Sequence, residues 1–195
     1  VLIFCVSNYI IHYLLLMKKK ISIIMVCLNS EKTIQKSIMS FNSQKYLNKE
    51  LIVIDGGSTD KTISIIKNSV GVSYFEEIKN LGLYASLNYG IKKSEGEIIG
   101  ILHSDDEFFD ENILDKINHC FLKDNNKTDY VYSNIVFVDI EDNIKRKWNV
   151  GKVSQRDISL GKLPPHTGIF VKKSTFSKTG YYNENYKISS DFEYI

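Results

Sequence analysis

Two apolar runs in this chain each end in carboxylates. Leu51-Ile52-Val53-Ile54 leads into Asp55-Gly56-Gly57-Ser58-Thr59-Asp60, and Ile98-Ile99-Gly100-Ile101-Leu102 leads into His103-Ser104-Asp105-Asp106. Continuous branched-apolar runs are the pattern of strands buried on both faces of a parallel sheet. Open α/β sheets bind ligands beyond the carboxyl ends of such strands. Two such ends in one sheet imply one site. The adjacent acids Asp105 and Asp106 repel each other unless a cation or a hydrogen-bond network accommodates them. The pattern therefore directs attention to metal and nucleotide chemistry.

The rest of the chain supplies the elements of that sheet. Ile21 to Leu28 reads as a first strand, ending in Asn29-Ser30, either of which is a suitable cap for a following helix. Ile34, Ile38 and Phe41 give that helix its buried face. After Leu51–Ile54, Ser58 or Thr59 is placed to cap a helix with an Ile63, Ile66, Val70 stripe, while Asp60 neutralises amides at the helix start. Val72 to Ile78 reads as a third strand. Leu83, Leu87 and Ile91 mark a helix over about 83–94, which Ser94-Glu95-Gly96-Glu97 ends. Ile113, Ile117 and Phe121 mark another helix, and Tyr130 to Val138 reads as one strand. Asp142-Asn143 forms a turn between Ile135 to Val138 and Ile144 to Val150, an antiparallel excursion. Pro164-Pro165 makes a rigid loop, Gly168 to Lys172 a strand and Ser174 to Thr179 a helix. The alternation predicts an α/β fold with a mostly parallel, Rossmann-like sheet and helices on both faces.

Composition is that of one globular core: 195 residues, 43% hydrophobic, 25% charged, formal net charge +2. This disfavours disorder and gives no reason to expect nucleic acid as a partner. Cys5, Cys27 and Cys120 lack metal-ligand spacing, and a reducing compartment fits them. Residues 1–20 stand apart. The apolar stretch to Met17 is interrupted by Ser7, Asn8 and His12, and falls short of the roughly 20 residues of a membrane span. Lys18, Lys19 and Lys20 follow it. The order of charge and apolar core is opposite to that of a signal peptide. Residues 1–20 are expected to be an apolar extension or a non-native upstream segment, with weak membrane association as the alternative. Residues 21–195 are expected to form one domain whose C-terminal part is incomplete.

Residue chemistry narrows the site. Asp55 is a candidate for a nucleotide base or ribose, since a carboxylate accepts from imide and hydroxyl groups; a capped turn with a surface acid is the other reading. The glycines after it fit neither a Walker loop nor a Gly-x-Gly-x-x-Gly fingerprint, which disfavours a triphosphate hydrolase or a dehydrogenase. Asp105 is the first-choice ligand for a divalent cation bound to a diphosphate. Asp106 acts indirectly or orients a sugar hydroxyl. His103 is open to metal, sugar or phosphate.

Taken in order, several segments resemble the family 2 glycosyltransferases: Ile23-Ile24-Met25-Val26-Cys27-Leu28-Asn29, Asp55-Gly56-Gly57-Ser58-Thr59-Asp60-Lys61-Thr62, the stretch from Asn80 to Ile91, and Gly96 to Asp106. His166-Thr167-Gly168-Ile169-Phe170 and Ser190-Asp191-Phe192-Glu193 extend the resemblance. The nearest type is the bacterial enzymes of surface polysaccharides such as colanic acid or O-antigen.

The resemblance implies a glycosyltransferase A-type fold, with a nucleotide-sugar-binding half over 21–106 and an incomplete acceptor-side half over 107–195, and transfer from a nucleotide-sugar, UDP-linked, to a glycan or lipid-linked saccharide. It further implies inversion of configuration, a Mn²⁺ or Mg²⁺ cofactor, and a place in the cytoplasm or peripherally at the inner membrane face. Cys27, Leu28, Asn29, Asp55, His103, Ser104 and Asp105 are implied donor contacts, with Asp105 on the metal. Asp191 is the implied general base and Glu193 its runner-up; Asp106 and His166 fall on the acceptor side or behind the metal ligand. His103 stands where the family usually has Asp, and Asn80 and Ala85 also depart from common Asp positions.

Two other functions are compatible with parts of the pattern. A sugar-nucleotide nucleotidyltransferase needs a glycine-rich basic loop after the first strand, for which Cys27-Leu28-Asn29-Ser30-Glu31-Lys32 is poorly suited. A catalytically weak nucleotide-sugar or glycan-binding module would be consistent with His103 and Ala85. Residues beyond Ile195 are expected to complete the acceptor side.

Overall fold

The computed structural model describes residues 18–123 and 127–186, so residues 1–17, Asp191 and Glu193 lie outside the described residues. In chain order the elements are β1 (Ile21–Cys27), α1 (Ile34–Asn42), β2 (Lys49–Asp55), α2 (Thr62–Asn68), β3 (Tyr74–Glu77), α3 (Leu83–Lys93), β4 (Ile98–Ile101), α4 (Ile113–Lys123), β5 (Tyr130–Tyr132), β6 (Ile135–Val138), β7 (Ile144–Trp148), α5 (Gln155–Ser159), a 3₁₀ turn (His166–Gly168), β8 (Ile169–Lys172) and α6 (Lys173–Thr179).

A six-stranded sheet runs in the order β3-β2-β1-β4-β8-β5. β1 is central because it is apolar on both faces. It pairs in parallel with β2 from Ile21↔Lys49 to Cys27↔Asp55, and with β4 from Ile21↔Ile98 to Ile24↔Ile101. These registers bring the carboxyl ends of β1, β2 and β4 to one edge. β3 extends the parallel part beyond β2. β8 then lies antiparallel to β4, and β5 antiparallel to β8. The sheet is therefore mixed: four parallel strands followed by an antiparallel insertion.

Alternation along β1 builds two cores. Ile21, Ile23, Met25 and Cys27 pack with Ile34, Ile38 and Phe41 of α1 and with Leu114, Ile117 and Phe121 of α4. Ile24, with Ile52 and Ile54 of β2, packs on the other face against Leu87 and Ile91 of α3 and Phe176 of α6. Each fully buried branched side chain contributes about 1.5–3 kcal/mol. The absence of a side chain at Gly90 lets α3 approach β1, since a Cβ there would stand 2.6 Å from Ile24 Cγ2.

Several local expectations are corrected. The run from Tyr130 to Val138 is two strands: β5 joins the main sheet, while β6 pairs with β7 in the antiparallel hairpin expected across the Asp142-Asn143 turn. The break falls at Ser133-Asn134, where the Ser133 amide donates to the Gly168 carbonyl at 2.9 Å. β3 is shorter than the apolar run around it, and Val70 lies beyond the end of α2, 86% exposed. The expected Asp142-Asn143 turn is present, with Asp142 at φ 63°. Thr33 and Lys61, which precede α1 and α2, make no side-chain cap; Asn29 and Ser58 hydrogen-bond between loops instead, and Asp60 accepts the Thr62 amide.

Candidate active site

Asp55 lies at the last position of β2, with no exposed surface. Its Oδ1 accepts the Gly57 and Ser58 amides at 2.9 and 2.7 Å. Its Oδ2 accepts the Ser58 hydroxyl at 2.5 Å and the Cys27 thiol at 3.4 Å. A carboxylate offers about four acceptor positions, so these contacts occupy it. The carboxylate faces inward and shapes the Gly56–Ser58 turn at the end of β2. Gly57 takes φ 98° in that turn, a conformation that favours glycine. Cys27 is a core residue; burial pushes its thiol well up, and the Asp55 charge adds to this, so the thiol remains a donor.

The polar residues after β1 and β2 bind the two loops together. The Asn29 amide donates to Ser58 Oγ at 2.8 Å, and Asn29 Oδ1 accepts the Thr59 amide at 2.9 Å. The Ser30 amide donates to Thr62 Oγ1 at 2.7 Å. Asp60 accepts the amides of Thr62 and Glu31, the structural part expected of it. Leu28 projects outward, 59% exposed. Asn29 holds a left-handed backbone at φ 52°, which Asn tolerates better than most residues.

The acidic motif joins this pair of loops. Ser104, buried after β4, places its hydroxyl 2.8 Å from that of Ser30. The Asp106 amide closes a turn on the His103 carbonyl at 3.1 Å. Asp105 is exposed, and among the described residues its carboxylate makes no hydrogen bond or ion pair. Burial raises the Asp106 carboxyl above its ordinary value; His103 opposes this and the Asp105 charge reinforces it.

On the other side of β4, the chain entering β8 supplies His166. Its ring lies 6.0 Å from that of His103, and its Nε2 lies 3.0 Å from the Tyr182 hydroxyl. A cleft of about 780 Å³ opens beside the two histidines, lined also by residues of the β6–β7 hairpin and of the 149–167 segment. Cys27, Asn29, Asp55, His103, Ser104, Asp105, Asp106 and His166 thus come to one edge of the sheet. Trp148 and Lys152 in the cleft, and the Asn88–Tyr182 pair behind His166, were not among the expected site residues. The lone Trp148 after three basic residues was the available signal.

Among the described residues, no group of three or more His, Cys, Asp or Glu is arranged to hold a metal. A hard divalent ion bound to phosphates commonly needs only one or two carboxylates from the protein. The unpartnered, exposed Asp105 carboxylate fits that smaller donor set.

Residues 22–182 match the family described as glycosyl transferase family 2. The chain belongs to that family. This member is 38% identical over 127 residues to an uncharacterized glycosyltransferase of Haemophilus influenzae, covering 63% of the chain and 50% of the relative. It is 30% identical over 186 residues to one of Rickettsia typhi, covering 89% of the chain and 56% of the relative. The chain thus spans about half the length of these relatives. Its fold is shared with S. aureus TarS 1-349 in complex with UDP, at TM-score 0.71 and 19% identity over 90% of this chain and 53% of that one. It is also shared with a Pyrobaculum calidifontis mannosyltransferase in complex with GDP-Man and Mn²⁺, at TM-score 0.65 and 14% identity over 89% and 50%. The family 2 fold expected from the motifs is the fold observed. Among the described residues no helix is long and apolar enough to cross a membrane.

Proposed function

We propose that this family 2 member transfers a sugar from a UDP-sugar to a hydroxyl of a glycan or lipid-linked saccharide, with inversion, in the synthesis of a cell-surface polysaccharide. The observation that carries the reading is the convergence of three strand ends: the Asp55 turn, the Asn29–Ser30 segment and the acidic motif, joined through the Ser30–Ser104 contact. Support for the donor comes from the TarS fold, seen with UDP and with UDP-GlcNAc.

In this reading Asp55 acts through the turn it organises, which presents Leu28, Asn29 and Gly56 to the nucleoside. His103 and Ser104 border the diphosphate, with Asp106 behind them. A Mn²⁺ or Mg²⁺ ion held by Asp105 supplies positive charge to the diphosphate. The acceptor oxygen bonds to the anomeric carbon as the bond from that carbon to the diphosphate oxygen breaks. The electron pair leaves with UDP, and the hydroxyl proton passes to a carboxylate. Asp191 is proposed for that base, with Glu193 as its runner-up. His166 lines the acceptor side. The site is proposed to work in the cytoplasm, at the inner membrane face.

The test is a panel of UDP-, GDP- and dTDP-sugars with Mn²⁺ or Mg²⁺, read as nucleotide binding and release. UDP-sugars are expected to bind and turn over in preference to the others. Binding and release of none of them would overturn the reading.

A further inference from the structure

The cleft beside His103 and His166 carries residues to which the donor reading gives no part. Trp148 lines it from the end of β7, and Pro164 and Pro165 line it from the loop before the 3₁₀ turn. Flat apolar surfaces of this kind suit the faces of sugar rings. The Arg146 guanidinium lies 5.5 Å from the Phe137 ring centre and 5.8 Å from that of Trp148. Arg146 is not part of the cleft lining, so it holds the indole from outside and leaves the remaining ring surface to the cleft. Such cation–aromatic contacts contribute stabilisation even near the surface.

The charges in the cleft are unequal. Lys162 is paired with Asp157 at 3.4 Å, and Asp157 also caps α5 through Ser154. Lys152 lines the same cleft, and among the described residues it makes no ion pair or side-chain hydrogen bond. The one acid of the lining is therefore already engaged twice, while one ammonium remains without a counter-charge. A volume of about 780 Å³ falls within the range of small-molecule sites, about 300–1,000 Å³.

We propose that this cleft is the acceptor site and that it selects a saccharide carrying a phosphate, with a sugar ring on Trp148 and the phosphate at Lys152. The inference rests on the transferase reading above and specifies its acceptor. The phosphate has two sources of the same chemistry: a prenyl-diphosphate anchor, or a phosphodiester within a glycan.

Trp148 is the single tryptophan of this chain, so its emission reports cleft occupancy without any turnover. The protein is titrated with glucose, glucose 1-phosphate, a prenyl-diphosphate-linked glucose in micelles and a short oligosaccharide joined by phosphodiesters. Phosphorylated probes are expected to bind about tenfold more tightly than glucose, the effect of one charge-assisted hydrogen bond. Lys152→Ala should remove that preference, and Lys67→Ala, which removes an exposed charge on α2, should retain it. The tighter of the two larger probes identifies the source. Equal binding of glucose and glucose 1-phosphate, or a preference that survives Lys152→Ala, would overturn the proposal. UDP binding, followed by calorimetry in the same variants, separates the two readings: its absence overturns the donor site, while the tryptophan titration alone decides the acceptor chemistry.

Discussion

Asn88 holds Tyr182 by both of the tyrosine's backbone groups: the Tyr182 amide donates to Asn88 Oδ1 at 3.0 Å, and Asn88 Nδ2 donates to the Tyr182 carbonyl at 2.8 Å. Asn88 is 2% exposed, and its Nδ2 also reaches Glu184 at 2.8 Å. A helix of the donor half thereby fixes the residue whose hydroxyl meets His166. Asn88→Ala strands two buried backbone groups at about 1–3 kcal/mol each. Urea unfolding should report a loss of about 2–4 kcal/mol. A loss within about 0.5 kcal/mol, the range of an ordinary surface substitution, would show that the clasp does not hold the segment.

Asp55→Asn replaces an oxygen that accepts the Ser58 hydroxyl and Cys27 thiol with an amide donor. Stability should fall by about 1–3 kcal/mol through the donors left unpaired. UDP affinity, measured by calorimetry at a temperature where the variant is folded, should fall about tenfold or more as the turn loses its shape. Unchanged UDP affinity would remove the turn from the donor site.

Asp105→Asn should lower donor turnover on the order of a hundredfold, the scale of losing one electrostatic contact to a developing charge. Chelation should lower wild-type turnover similarly and have little further effect on the variant. A variant that still responds fully to added Mn²⁺ would place the ion elsewhere.

Asp191→Asn tests the proposed base. Its kcat should fall on the order of 10²–10⁴-fold, with donor affinity nearly unchanged. Transfer at the wild-type rate would exclude Asp191 from proton transfer.

Glu50 predicts an acid-sensitive fold. Burial pushes its carboxyl up, but the Lys20 ammonium, the Ser22 hydroxyl and the Glu95 amide together bring it below its ordinary value. A depressed folded value contributes stability that is present above the unfolded carboxylate range, near pH 4.3, and is lost as pH falls through the folded value. Unfolding free energy should therefore decline below about pH 4.3. Glu50→Gln should flatten that slope while lowering stability at neutral pH. An unchanged acid slope would assign the effect to other groups.

The central sheet was legible because Ile21–Cys27, Leu51–Ile54 and Ile98–Ile101 carry enough apolar surface to specify burial on both faces. The helices α1, α3 and α4 were legible from Ile34/Ile38/Phe41, Leu87/Ile91 and Ile117/Phe121 at helical spacing. Pairing across long separations was not. Nothing local places Phe170 opposite Gly100, and no periodicity divides Tyr132 from Ile135. Asn29, Ser30 and Ser58 have the side chains of helix caps, but each is tied to a neighbouring loop, a choice that depends on which strands are neighbours. Asp55 was legible as important, while its inward direction depended on the Cys27 and Ser58 donors around it. The cleft joins residues far apart in the chain, so only its lone tryptophan was visible in advance.

The insertion of β8 between β4 and β5 has a consequence for synthesis. When a ribosome has released the chain only as far as β4, that strand has one partner, β1, and an open edge of unpaired backbone groups. Such edges invite pairing with other chains. Covering it requires the polypeptide to extend some seventy residues further, to β8 at Ile169–Lys172. Because β8 is antiparallel to β4, the arrival that closes the edge also delivers His166 beside His103. A nascent chain therefore gains protection from aggregation and an assembled site in the same late event.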